Sequence, residues 1–504
     1  MRATCRLPRF QRSVLFVISI ALSGCSNGTQ TGTAPTPRAE QARTALNWAL
    51  CPDVPNTQCA GLRVPVDPAK PDGPKFTLRI ARVPALDPRR KKGVLIFLPG
   101  GPGAGIVQII GGDVLTESHV DELRREYDVV SFDPRGIGES NPIRCAPNAV
   151  PSPHPPSGRA PTADQFAATR DANAALFKSC YALTGELFRH LSAMDTAADV
   201  EQIRLALAPK DGLIAYGGSY GSHYGQAYLE RYPDRVKAMV LDAVVDHSVD
   251  LPTLSARNVA SVGDSFDRFA RWCKGDVSCA LHGQDVDTVY DSITAKMPLT
   301  RILVAQFLSA GNNPHFGWPI IAKMMAEVNR GDTSLLKSLT ATGSGATAST
   351  SEDPSARAGK NGLFPGVFCA DYGPQSDYNA LPPPANALAS EAARFVWKFW
   401  DSYPIAHASL GVPDCAGWPW PASNPPHGLV VGPHPNVMVA NPAYDPATPL
   451  SNALAVWMQI PQARLLIANV DGHQSWLLSR CAFDAELRFL ENPSSTQRTT
   501  ICAK

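Results

Sequence analysis

The chain is more informative at first for what it lacks. It has no excess of one charge: Lys and Arg number 46 against 45 Asp and Glu, and no block of like charge stands out. A nucleic-acid partner is therefore not expected, since no basic field exists to collect phosphates. It has no apolar run of about 20 residues, the length a helix needs to cross a bilayer. It has no paired C-x-x-C, no H-E-x-x-H and no tight His cluster, so a zinc site is not expected. No G-K-[ST] follows its glycine-rich loop, which argues against phosphate binding there. No cofactor is expected. The length of 504 residues exceeds what one core usually supports, about 250–300 residues. One catalytic domain with a large insertion, or two domains, is the expectation.

The N-terminus reads as an address. Arg2, Arg6, Arg9 and Arg12 precede an apolar run from Val14 to Leu22. That is an export-signal pattern, too short to span a membrane. The run ends in Leu22-Ser23-Gly24-Cys25, which resembles a bacterial lipobox and implies a signal at 1–24 and lipidation of Cys25. An ordinary signal peptide with a coincidental Cys is the alternative. Ser26 after the Cys fits an outer-membrane destination, facing the periplasm, in a Gram-negative host. Residues 25–46, rich in Ser, Thr, Gly, Ala and Pro, read as a tether. Of the 12 Cys, Cys5 and Cys25 belong to this region, and the remaining ten suit five bridges in an oxidising compartment. Proximity suggests Cys51–Cys59, Cys273–Cys279 and Cys481–Cys502.

Residues 75–83 alternate in period two and predict an antiparallel strand near a sheet edge. Short continuous apolar runs follow at Val94–Leu98, Val129–Phe132, Leu213–Tyr216, Ala238–Leu241, Val437–Ala440 and Leu465–Ala468. Runs of this kind suit parallel strands buried on both faces. The predicted fold is α/β: a mostly parallel sheet with helices on both faces. Residues 47–247 and 426–504 would form its two parts. Residues 248–425 would be a mainly helical cap, with helices at 258–272 and 319–330, a flexible segment at 341–361 and an aromatic, Pro-rich end at 417–421.

The sequence Gly217-Gly218-Ser219-Tyr220-Gly221 follows one strand and precedes a helical stretch, His223–Tyr232. This strand–turn–helix context is that of a nucleophile elbow, so Ser219 is the expected nucleophile. The loop Pro99-Gly100-Gly101-Pro102-Gly103-Ala104-Gly105 follows another strand. Gly101 and Tyr220 are the expected oxyanion N–H donors. Acid and base should come in the order Ser, Asp, His. Asp445 and His473 lie just after the last two strands and fit. Asp242 is the runner-up acid, and Asp471 is too close to His473 in sequence to orient it. His223, four residues beyond Ser219 on the helix, is expected to be a helix-surface or packing residue. His247 and His427 lie in loops without a paired carboxylate.

These segments, with Leu98–Gly103, Phe132-Asp133-Pro134-Arg135-Gly136-Ile137-Gly138-Glu139-Ser140, Leu241-Asp242, Tyr444–Pro449 and Gly472-His473, resemble the bacterial tripeptidyl aminopeptidases of the proline-iminopeptidase-like serine peptidases. The resemblance covers most of residues 45–504, including the spacing of Cys51 and Cys59 and of Cys481 and Cys502. It implies an α/β-hydrolase fold, a nucleophile at Ser219, an acid at Asp445 and a base at His473. Pro99 stands where proline iminopeptidases have His, and the insertion is longer than theirs. Release of fragments longer than a single proline is therefore favoured. A free N-terminal amine needs an acidic partner: Asp371, which recurs in that family, and Glu327 are the candidates. An esterase using the same triad is the alternative enzyme. A binding protein on a hydrolase fold is the alternative from another class, though such proteins typically lack a triad member.

Overall fold

The computed structural model describes residues 46–503, apart from 111–116, 149–162, 298–299, 301–302, 305–306, 309–316, 344–353, 375–414 and side chains within some helices. The lipobox, the tether and Cys25 lie outside the described residues.

Among the described residues, ten strands form one sheet in the order β1-β2-β3-β5-β4-β6-β7-β8-β9-β10. They are β1 (Ala49–Leu50), β2 (Gln58–Pro65), β3 (Lys75–Val83), β4 (Gly93–Leu98), β5 (Tyr127–Phe132), β6 (Leu213–Gly218), β7 (Val236–Asp242), β8 (Val437–Tyr444), β9 (Arg464–Asp471) and β10 (Thr499–Cys502). β1, β2 and β3 pair antiparallel, as does β3 with β5. From β5 to β10 every pairing is parallel. β3 thus occupies the bounds and the antiparallel place that its alternation predicts, third from the edge. The six apolar runs each lie within a strand. β1, β2 and β10 were not anticipated: β1 has two residues, and β2 and β10 mix polar and apolar residues without a clean period.

The buried strands divide their side chains between two cores, as a period of two requires. Val94, Ile96 and Leu98 enter one core, together with Met239, Leu241, Val437 and Val439. Leu95 and Phe97 enter the other, with Ala238, Val240, Met438 and Ala440. The helices Ala193–Leu207 and Tyr220–Arg231 cover the first face, and Arg480–Glu491 the second.

Between β7 and β8 the described residues hold helices and no strand. The helix Leu251–Gly275 contains the predicted 258–272, and Gly317–Asn329 starts two residues before the predicted 319–330 and ends one residue short of it. With Val286–Lys296 they enclose a third core around Phe266, Phe269, Tyr290, Trp318 and Met325. One expectation is corrected. Of residues 341–361, read as flexible from their small residues, 341–343 end the helix Ser334–Gly343, 344–353 lie outside the described residues, and 354–361 belong to the helix Pro354–Tyr372. Apolar residues further along, Val367, Phe368 and Ala370, bury against the first core and hold the helix in place.

Five disulfides are present among the described residues. Three are those expected from proximity, and Cys145–Cys180 and Cys369–Cys415 complete the set. The last two join residues 35 and 46 positions apart, which spacing alone does not single out. In the chain-entropy account, longer loops give larger stabilisation. Replacing Cys369 and Cys415 by Ser should lower unfolding stability by up to about 4 kcal/mol, and replacing Cys273 and Cys279 by about 2. Urea denaturation of the two double variants checks that order.

Candidate active site

Ser219 sits where β6 turns into the helix Tyr220–Arg231, at φ 56° and ψ −128°. A non-glycine residue seldom adopts a positive φ, and it persists only where its surroundings over-determine it. Those surroundings are identifiable. The Ser219 N–H donates to the Asp242 carbonyl at 3.0 Å, and the Ser219 carbonyl accepts from Ser222 N–H and Oγ at 2.9 and 2.6 Å. Gly221 lets the helix pass against β4: a Cβ there would lie 2.1 Å from the Leu98 carbonyl oxygen.

The glycine-rich loop after β4 runs beside Ser219. A Cβ on Gly100 would lie 3.2 Å from the Ser219 Cβ. Gly101 has φ 104° and is followed by a cis bond to Pro102. The far end of the loop is held by Asp133, which accepts the Ile106 N–H at 2.8 Å and the Glu139 N–H at 3.0 Å. Arg79 lies 3.6 Å from the same carboxylate. Burial raises the Asp133 carboxyl pKa, against these hydrogen bonds and the Arg79 charge. The neighbouring Arg135 is buried and forks onto Asp199 through two 2.8 Å bonds. The motif Asp133–Ser140 thus shapes the loop from below. Tyr220 opens the elbow helix, where a first-turn N–H has no intrahelical acceptor.

His473 and Asp445 meet across the ends of β8 and β9. The His473 Nδ1 lies 3.0 and 2.9 Å from the two Asp445 oxygens. With Nδ1–H donated to the carboxylate, Nε2 is left as the acceptor. Asp445 is buried and also accepts Ala447 N–H and Thr448 N–H, each at 2.9 Å, and Thr448 Oγ1–H at 3.0 Å. Thr448 was not singled out in the sequence. Its signal is local: a Thr three residues after an Asp can bond back to that carboxylate in a turn. Burial pulls the His473 pKa down, but the charge and hydrogen bond of Asp445, together with the charge of Asp242, outweigh it. The net shift is upward from 6.5.

Asp242, the runner-up acid, is committed elsewhere. Its carboxylate accepts Ser475 N–H and Oγ–H at 3.1 and 2.7 Å, Trp476 N–H at 3.2 Å and the Tyr216 hydroxyl at 2.7 Å. Its carbonyl holds Ser219, so one residue ties the elbow to the segment directly after His473. Gln474 lies between them at φ 73°. Asp471 pairs with Arg268 rather than with His473.

The acidic residues expected to meet a substrate amine are placed differently. Asp371 is fully buried, and its carboxylate accepts Ala193 N–H at 2.9 Å, the Tyr220 hydroxyl at 2.7 Å and the Asn424 amide at 3.3 Å. Burial pushes its carboxyl up to about 7 against those bonds. Its hydrogen bonds join the elbow helix to the helices around it and do not open towards solvent. Glu327 faces Lys323 at 3.9 Å, one turn back on its own helix. The structure does not bring it together with Asp371. Of the two readings of His223, packing holds and the helix surface does not: it is buried, stacked on Tyr220 and beside His247, and burial drives its pKa well down. His427 departs from expectation, since its Nε2 lies 3.0 Å from Glu230 of the elbow helix.

The titration of His473 tests this geometry. By NMR its ring pKa should lie above 6.5 in the native protein. Asp445→Asn removes the charge that stabilises the imidazolium but leaves the burial, so the pKa should fall below 6.5. A native value below 6.5, or an unchanged value in the variant, contradicts the arrangement.

Comparison with known proteins follows the same lines. The α/β hydrolase fold family matches residues 93–475. A tripeptidyl aminopeptidase of Streptomyces coelicolor is 27% identical over 92% of this chain and 87% of its own. The serine protease Hip1 of Mycobacterium tuberculosis is 29% identical over 78% of this chain and 76% of its own. A carboxylesterase B of Mycobacterium tuberculosis is 36% identical, over only 23% of this chain and 24% of its own. The chain belongs to the α/β hydrolase fold family and is a serine hydrolase with tripeptidyl aminopeptidase homologues.

Proposed function

We propose that the protein is an exported serine exopeptidase that releases short peptides from free N-termini through an acyl-enzyme on Ser219. The Asp445–His473 pair, whose His-bearing loop Asp242 links to the elbow, is the observation that carries the reading. His473 Nε2 takes the Ser219 proton as the hydroxyl oxygen attacks the substrate carbonyl. Asp445 fixes the tautomer and stabilises the imidazolium, and the Tyr220 and Gly101 N–H groups hold the oxyanion. His473 then gives the proton to the leaving amine, and water hydrolyses the ester by the same route. Two features support the peptidase over the esterase. The two peptidase relatives align along most of the chain, whereas the carboxylesterase aligns along about a quarter. The large helical segment between β7 and β8 has the bulk to cap a peptide end.

Five disulfides and the N-terminal signal pattern support export and a lipid anchor at Cys25. Retention of palmitate label by the native chain and its loss in Cys25→Ala test the anchor.

Ser219→Ala should lower kcat by about 10⁶, as in other triad knock-outs. A variant that keeps most of the rate removes Ser219 from the mechanism. The base must be neutral to accept a proton, so kcat/KM should fall as pH drops through a value above 6.5. Peptide p-nitroanilides compared with and without an N-terminal acetyl group decide the substrate. The blocked peptide should turn over much more slowly, and equal rates favour the esterase.

A further inference from the structure

The helix Leu251–Gly275 has two distinct faces. Val262, Phe266, Phe269 and Cys273 bury in the core of the helical segment between β7 and β8. Ser261 and Arg268, seven residues apart and so two turns along the same side, reach the catalytic loops instead. The Ser261 hydroxyl donates to the Pro446 carbonyl at 2.7 Å, directly after Asp445. Arg268 forks onto Asp471: Nη2 lies 2.9 Å from one carboxylate oxygen, and Nε donates to the other. The same guanidinium stacks on Tyr444, with its central carbon 3.4 Å from the ring centroid. Tyr444 immediately precedes Asp445, and Asp471 stands two residues before His473. The two also pair across β8 and β9, and the Gly472 N–H donates to the Tyr444 carbonyl at 3.3 Å.

We propose that Arg268 is a positioning residue: it clamps the acid-bearing and base-bearing loops to one another from the helical segment, coupling the seating of that segment to the alignment of Asp445 with His473. The proposal rests on the triad reading above. The planar guanidinium suits the task because one group makes both contacts, a two-point bond to Asp471 along its edge and a stack on Tyr444 across its face. A lysine offers neither the fork nor the flat face. Displacement of the helix therefore pulls on both loops together, and errors of about 1 Å in such alignments cost roughly a hundredfold in rate.

The experiment compares the full-length native protein with Arg268→Met, Arg268→Lys and Tyr444→Leu. A small fluorophosphonate, which needs an aligned triad but little of the helical segment, reports the rate of labelling at Ser219. Steady-state turnover of an unblocked tripeptide p-nitroanilide gives kcat and KM separately. Arg268→Met should slow labelling and kcat by about ten- to a hundredfold. KM should change less than about threefold, since uniform binding is untouched. Arg268→Lys should recover only a small part, and Tyr444→Leu should fall between it and the native protein. If Arg268→Met does not fold, the lysine and leucine variants carry the test. Labelling at the native rate in folded variants, or a rise in KM alone, overturns the clamp and leaves Arg268 a docking residue only. Absence of Ser219 labelling in the native protein instead overturns the triad reading.

Discussion

The backbone at Ser219 is the constraint around which the rest is arranged. A serine at φ 56° is costly, and the hydrogen bonds and close packing of its neighbours hold it there. The Asp242 carbonyl holds its N–H, Ser222 holds its carbonyl, and Gly221 allows the helix to press on β4. Each of these depends on a parallel sheet that brings β4, β6 and β7 side by side with their carboxyl ends level. Ser219 then stands at those ends, beside the glycine-rich loop after β4, and Gly218 before it lies against Gln474.

Buried aspartates fix the loops of the site. Asp133 holds the glycine-rich loop, Asp242 the segment after His473, and Asp445 the imidazole itself. Asp371 ties Tyr220 to the N-terminus of the helix Ala193–Leu207. A buried carboxylate is expensive unless donors surround it, so each one selects a single arrangement of several N–H and O–H groups. Removing one leaves those donors unpaired, which is why these residues stiffen the site as well as stabilise it. Asp471 follows the same logic, with a cation from a distant helix as its partner.

Much of the fold was legible because buried parallel strands are short continuous apolar runs, and six such runs coincide with β4 to β9. The elbow was legible because strand, turn and helix signals are contiguous around Ser219. What was missed follows from weaker local signals. β1 and β10 are short, and β2 mixes polar and apolar residues, so neither length nor period marks them. The helix Pro354–Tyr372 begins with residues that favour loops, and only burial of its later turns holds it. Asp371 read as a partner for a substrate amine because sequence does not show burial. His427 looked unpartnered because Glu230 lies 197 positions away.

The sequence by itself determined the chemistry available: a serine on a strained turn, an acid and a base in the order that a parallel sheet demands, and ten cysteines suited to five bridges. These are local patterns, written in neighbouring residues. Tertiary structure decided how that chemistry is held. It placed His473 against Asp445 and gave Asp242 four other donors, closed the two long-range disulfides, and set Arg268 across Tyr444 and Asp471. Those outcomes depend on distances between residues tens to hundreds of positions apart, which no local periodicity encodes.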